Sequence, residues 1–175
     1  MLIIHSVQKL LNTSRLQASL YISQPNEGQS LHSWYARLLS SGFPGKMLVM
    51  YVHESSLMVV ICKGKTIPGT WEPFLKRVEQ LLVRHKFPDT FIKKELSQAE
   101  GYTVSKTNSR SLLSHMNQMA YELEYRGKMA DEYDHIALDY MEDIMMGRPY
   151  QYGKRQYDYR TPLDYWREKI QLPMA

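Results

Sequence analysis

The stretch that decides the fold is Lys46-Met47-Leu48-Val49-Met50-Tyr51-Val52-His53-Glu54-Ser55-Ser56-Leu57-Met58-Val59-Val60-Ile61-Cys62. Two apolar runs of six residues, 47–52 and 57–62, flank a polar break of four. Each run is short for a helix and rich in Val, Ile, Met or Tyr. Such runs form strands, and four residues suffice for the loop of a hairpin. Neither run alternates with polar residues, so both faces of these strands should be covered, which predicts a central place in their sheet. His53 and Glu54 fall in the loop and read as plain surface. Cys62 closes the second run and reads as a buried, inert thiol.

On the N-terminal side, Leu2-Ile3-Ile4 predicts a first strand, and residues 7–16 either continue it or turn helical. Gln24-Pro25-Asn26-Glu27-Gly28 is a loop by its turn residues. Ser30 is then expected to open a short helix, with Leu31, Trp34, Tyr35, Leu38 and Leu39 at helical spacing. On the C-terminal side, Thr70 is expected to cap a helix with Pro73 in its first turn. Phe74, Leu75, Val78, Leu81, Leu82 and His85 form its apolar face, and Phe87-Pro88-Asp89 stops it. Residues 91–106 predict one or two strands around Glu100-Gly101. A helix follows Asn108, with Leu112, Leu113, Met116, Met119, Ala120 and Leu123 on one side and Gly127 at its end. A further helix is expected over residues 131–146, and a short one near 162–170.

Composition limits the function classes. With 175 residues, 43% apolar and 23% charged, the chain can bury one sizeable core and is not a disordered polymer. A single cysteine excludes an internal disulfide framework and makes a reducing compartment the default. Neither six-residue run approaches the roughly 20 residues needed to span a bilayer, and Met1-Leu2-Ile3-Ile4-His5 lacks the basic start of a signal peptide. The expectation is an α+β fold: a single domain with a mixed or antiparallel sheet of four to five strands and helices mainly on one face. Residues 1–147 would form the core, and residues 148–175 an aromatic and basic segment packed on it.

Charge is segregated. The net charge is +4 with an isoelectric point near 9.0. Residues 131–143 carry six acids and no Lys or Arg, and residues 148–169 carry six basic residues against three acids. An intramolecular contact between the two is the economical expectation.

The segment Lys106-Thr107-Asn108-Ser109-Arg110-Ser111 joins a strand to a helix, with Asn108 or Ser109 as the cap. Lys106 and Arg110 sit where acids are normally preferred, because a helix start already carries partial positive charge. A bound anion or an acidic neighbour would relieve the conflict. Arg110, Ser114, Asn117 and Tyr121 also share a narrow stripe beside the apolar face, which suits a polar pocket wall. The candidate ligand-binding residues are therefore Lys106, Asn108, Arg110, Ser111, Ser114, Asn117 and Tyr121.

The twelve residues Lys106-Thr107-Asn108-Ser109-Arg110-Ser111-Leu112-Leu113-Ser114-His115-Met116-Asn117 resemble the KTxNRSvlGsMN stretch of an uncharacterised bacterial domain family of unknown function. Lys9-Leu10-Leu11, Trp34-Tyr35-Ala36-Arg37-Leu38-Leu39 and Arg160-Thr161-Pro162-Leu163-Asp164-Tyr165 are similar to further elements of it. Ser114 stands where that pattern has Gly. The resemblance spans most of the chain and implies a fold outline without an activity.

Between residues 148 and 167, Tyr150, Tyr152, Tyr157, Tyr159, Tyr165 and Trp166 interleave with Lys154, Arg155 and Arg160. Rings that stack beside cations that meet phosphates suit single-stranded nucleic acid, and the same composition suits protein contacts. Tyr150, Tyr152, Lys154, Arg155, Tyr157, Tyr159 and Arg160 are the candidate interaction surface. Packing of the rings onto the domain is the plain alternative.

Asp131, His135, Asp139 and Glu142 are expected on the outer face of the helix over 131–146, where acids opposite an apolar stripe form a solvated surface. No metal site is assigned. Ser111 and His115 stand four apart without an evident orienting acid, so no catalytic residue is assigned either. No cofactor motif is present. The sequence reading is a non-enzymatic binding or regulatory protein of a bacterial cytoplasm, taking a small anionic ligand or an unknown protein partner. Nucleic acid on the C-terminal segment is the competing partner class, and a small-molecule enzyme using Arg110, Ser111 and His115 is the third reading.

Overall fold

The computed structural model describes residues 1–152 and 157–172. Five strands form one mixed sheet: β1 (Leu2–Ser6), β2 (Ser33–Ser40), β3 (Met47–His53), β4 (Val59–Lys63) and β5 (Tyr102–Lys106), in the order β4-β3-β2-β1-β5. β1 runs parallel to both β2 and β5, while β2, β3 and β4 are antiparallel neighbours. Among the described residues six α-helices surround the sheet: α1 (Gln8–Ser14), α2 (Ile67–Arg84), α3 (Asp89–Ser97), α4 (Arg110–Gly127), α5 (Leu138–Met146) and α6 (Pro162–Ile170). The result is a single α+β domain.

Two cores lie on opposite faces of the sheet. Trp34, Ala36, Val49, Tyr51, Val60 and Cys62 point to the face covered by α1, α2, α3 and α6. Tyr35, Leu39, Leu48, Met50, Val52, Val59 and Ile61 point to the face covered by α4 and α5. Strict alternation of side chains along each strand therefore feeds both cores, which is why the deciding stretch is apolar throughout.

Continuous hydrophobicity reports covered faces, however, and not lateral position. β3 is internal, but β4 is one of the two edges of the sheet, contrary to the central place expected for it. Its edge is covered by α5, whose Glu142 carboxylate accepts the Ile61 N–H at 2.8 Å. The strand at the true centre is β2, where a helix was expected. Positions 34, 35, 38 and 39 satisfy helical spacing, yet they also satisfy a strand buried on both sides. Periodicity alone does not separate the two.

Other boundaries shift for local reasons. α2 begins at Ile67, with the Thr66 hydroxyl accepting the Gly69 N–H and Pro68 in the first turn. Thr70 and Pro73 lie inside it. Thr70 instead shares a buried hydrogen bond of 2.7 Å with the Tyr51 hydroxyl. Residues 89–97 form α3 rather than a strand, started by Pro88 and an acid, Asp89, in the first turn. The helix expected over residues 131–146 is broken into a 3-10 turn, Tyr133–His135, and α5.

The acids of that region divide: Asp131, Glu132, Asp134 and Asp139 are exposed as expected, but Glu142 is turned inward. Glu142 is fully buried. Arg77 Nη2 of α2 meets Glu142 at 2.7 Å and Asp139 at 2.6 Å, Arg84 Nε meets Asp143 at 3.2 Å, and His85 Nε2 meets Asp143 at 2.8 Å. The partner of these three acids is thus α2, not the C-terminal segment. Asp131 and His135 are exposed and bonded to each other at 2.8 Å.

His53 is not surface either. It is 1% exposed, shares hydrogen bonds with Ser56 Oγ at 2.8 Å and the Ser30 carbonyl at 2.9 Å, and stacks on Trp166 at 5.5 Å between ring centroids. Burial lowers its pKa to about 3, so the ring is neutral. No helix among the described residues is long and apolar enough to cross a membrane.

Candidate functional site

The start of α4 follows directly from the carboxyl end of β5, across Thr107-Asn108-Ser109. Ser109 is the cap: its hydroxyl accepts the Leu112 N–H at 3.2 Å. Asn108, the other cap expected from the sequence, accepts the Tyr35 hydroxyl from β2 instead. Tyr35 therefore ties the sheet to the loop, and its own pKa is raised by burial and then by the charge of Glu54.

A cleft of about 170 Å³ opens beside this helix start. Ser109, Ser111 and His115 of the α4 region form one wall. Glu54 and Ser55 of the β3–β4 loop form a second, and Gln151 and Tyr152 of the C-terminal segment complete it. Leu57 and Leu112 contribute the apolar surface. Leu57 takes a positive φ of 61°, a conformation that turns the short loop back into β4. The Tyr152 hydroxyl donates to the Ser56 carbonyl at 2.7 Å, so the C-terminal segment is fastened to the same loop.

His115 is half-buried in this wall. Its ring meets Tyr150 edge-on at 5.5 Å. Burial lowers its pKa, against a hydrogen bond to the backbone of Gln151 that raises it. Ser111 is exposed, and no hydrogen bond joins it to His115 among the described residues. The wall thus offers hydroxyls, an imidazole, an amide and one carboxylate.

The seven ligand residues expected from the sequence are divided by the structure. Ser111 lines the cleft. Asn108 holds Tyr35, and Asn117 accepts from Arg37 Nη1 at 2.9 Å, so two of the polar side chains brace β2 against the loop and helix. Lys106, Arg110, Ser114 and Tyr121 are exposed and are not among the residues lining the cleft. Glu54, Ser55 and Gln151 carried no sequence signal, since only the fold brings them to α4.

The C-terminal candidates divide as well. Tyr150 is buried, with its hydroxyl 3.5 Å from Met145 Sδ, and Tyr152 is half-buried. Tyr157 and Tyr159 are exposed. Arg160 Nη1 is engaged by Glu168 at 2.7 Å. Lys154 and Arg155 lie outside the described residues. β6 (Tyr150–Gln151) and β7 (Tyr159–Arg160) pair as a small antiparallel ribbon. Among the described residues no group of three or more His, Cys, Asp or Glu is placed to hold a metal ion.

No curated protein matches this chain. A family model described as a domain of unknown function, DUF6933, matches residues 3–165, which takes in all of the sheet but Leu2, all of α4 and the ribbon, and the chain belongs to that family.

Proposed function

We propose that the chain is a non-enzymatic binding module whose small ligand occupies the cleft between the start of α4, the β3–β4 loop and the C-terminal ribbon. The observation that carries this reading is the meeting of Ser109, Ser111 and His115 with Gln151 and Tyr152 at one hollow. An anionic group on the ligand would lie at the first turn of α4, where free N–H groups and the exposed Lys106 and Arg110 favour negative charge. Glu54 on another wall would take a donor group of the same ligand.

Amide mapping by two-dimensional NMR during a titration with succinate tests this. The expected result is movement of the amides of residues 109–115 and 151, lost when Lys106→Ala and Arg110→Ala are combined. Amides that stay still, or a double variant that responds like the parent, would overturn it.

A second reading is single-stranded nucleic acid at the C-terminal ribbon, supported by the exposed rings of Tyr157 and Tyr159. Retention on heparin with a steep salt dependence would favour it. The engagement of Arg160 by Glu168 counts against it.

A further inference from the structure

A larger cleft, of about 670 Å³, lies between β4 and α2. Its volume is in the range of small-molecule sites. Lys63 reaches it from β4, and Lys76, Arg77 and Gln80 reach it from α2. Lys76 and Gln80 are four apart and so share a helix face, with Arg77 beside them. Pro73 and Leu138 give it an apolar flank, and Glu72 is its one acid.

The donors differ in how firmly they are held. Arg77 is 16% exposed, and its Nε and Nη2 are committed to Glu142 and Asp139 at 2.6 to 3.1 Å. Those bonds fix the guanidinium and leave Nη1 without an acceptor among the described residues. Lys63 Nζ is steadied by the Asp134 carbonyl at 2.9 Å and lies 5.6 Å over the Tyr133 ring. Lys76 is exposed and meets no acceptor among the described residues.

We propose that this cleft binds the phosphate group of a small phosphate ester. A planar carboxylate is best matched by a free two-pronged guanidinium, and here that fork is already occupied by internal acids. What remains is one fixed N–H edge, the free Lys76 ammonium, and Lys63, whose Nζ keeps further N–H groups beyond the one given to the Asp134 carbonyl. That arrangement suits a tetrahedral anion whose oxygens point several ways. The volume exceeds what a bare phosphate fills, so the organic part of the ester lies along Pro73 and Leu138, with Gln80 and Glu72 within reach of its hydroxyls.

The test is a pair of NMR amide titrations, with inorganic phosphate and with glycerol 3-phosphate, on the parent chain, on Lys76→Glu and on the Lys106→Ala, Arg110→Ala double variant. Lys76 is exposed and bears no internal bond, so its replacement leaves the fold intact. The proposal expects both probes to move the amides of residues 62–63 and 76–80, the ester binding more tightly than phosphate. It also expects Lys76→Glu to weaken binding by about tenfold or more, and the double variant at α4 to bind as the parent does. Absence of binding, movement confined to residues 109–115, or equal affinity in Lys76→Glu would each overturn it.

Discussion

The Glu142 carboxylate accepts the main-chain N–H of Ile61 at 2.8 Å while its other oxygen receives Arg77 at 2.7 Å. One buried side chain thus serves as the missing neighbour of an edge strand and as the centre of an ion network between α2 and α5. Burial pushes the Glu142 carboxyl up, and Arg77, the Ile61 N–H and Arg84 pull it back.

Replacing Glu142 separates these roles. Glu142→Ala leaves the Ile61 N–H without its acceptor and Arg77 with Asp139 alone, so a loss of about 1–3 kcal/mol is expected in urea unfolding. Glu142→Gln keeps an acceptor for Ile61 and is expected to lose less. Equal losses in the two variants would show that the strand bond contributes nothing separate.

His53 gives the fold a pH dependence of known sign. Its native pKa is about 3, below the ordinary value of 6.5, so the unfolded chain binds the proton more readily. The contribution of the neutral ring is complete above pH 6.5 and is lost as pH falls from there toward 3. The expected slope is about 1.4 kcal/mol per pH unit in the middle of that window. Unfolding curves of the parent and of His53→Asn, compared across it, should differ by that slope. Parallel curves would refute the assignment.

Trp166 is fully buried against Phe87, Phe91 and His53, far along the chain from all three. Trp166→Ala is expected to cost about 3–5 kcal/mol. Removal of residues 148–175 should then abolish cooperative unfolding, measured by circular dichroism. A truncated chain with an unchanged transition would show that the segment is an appendage.

Cys62 is fully buried, and burial pushes its thiol up, so it is expected to be inert to thiol reagents in the native state. Its labelling should track global unfolding as urea is raised. Rapid labelling without denaturant would mean that the β4 edge opens locally.

The hairpin of β3 and β4, the apolar face of α2 and the whole of α4 are legible in the sequence because each has a local signal: unbroken runs, helical spacing, a Ser cap and a closing Gly. β2 was not, because a strand buried on both faces mimics a helix at positions 34, 35, 38 and 39. α3 is short and buries little besides Ile92 and Glu95, so its pattern is faint. The clefts were the least legible feature. Glu54, Ser111 and Gln151 meet only after the sheet, α4 and the ribbon are assembled, as do Lys63 and Lys76 across β4 and α2. Charge was misread for a related reason: Asp139 and Asp143 answer cations on α2, more than fifty positions upstream.

The place of Trp166 also bears on how the molecule is made. β1 waits for β5 to be translated before it gains its second neighbour, and the pocket around His53 stays open until residue 166 has left the ribosome. Synthesis from the N-terminus therefore delivers an exposed aromatic seam long before it delivers the ring that seals it. Until that ring arrives, the seam is apolar surface of the kind that promotes aggregation.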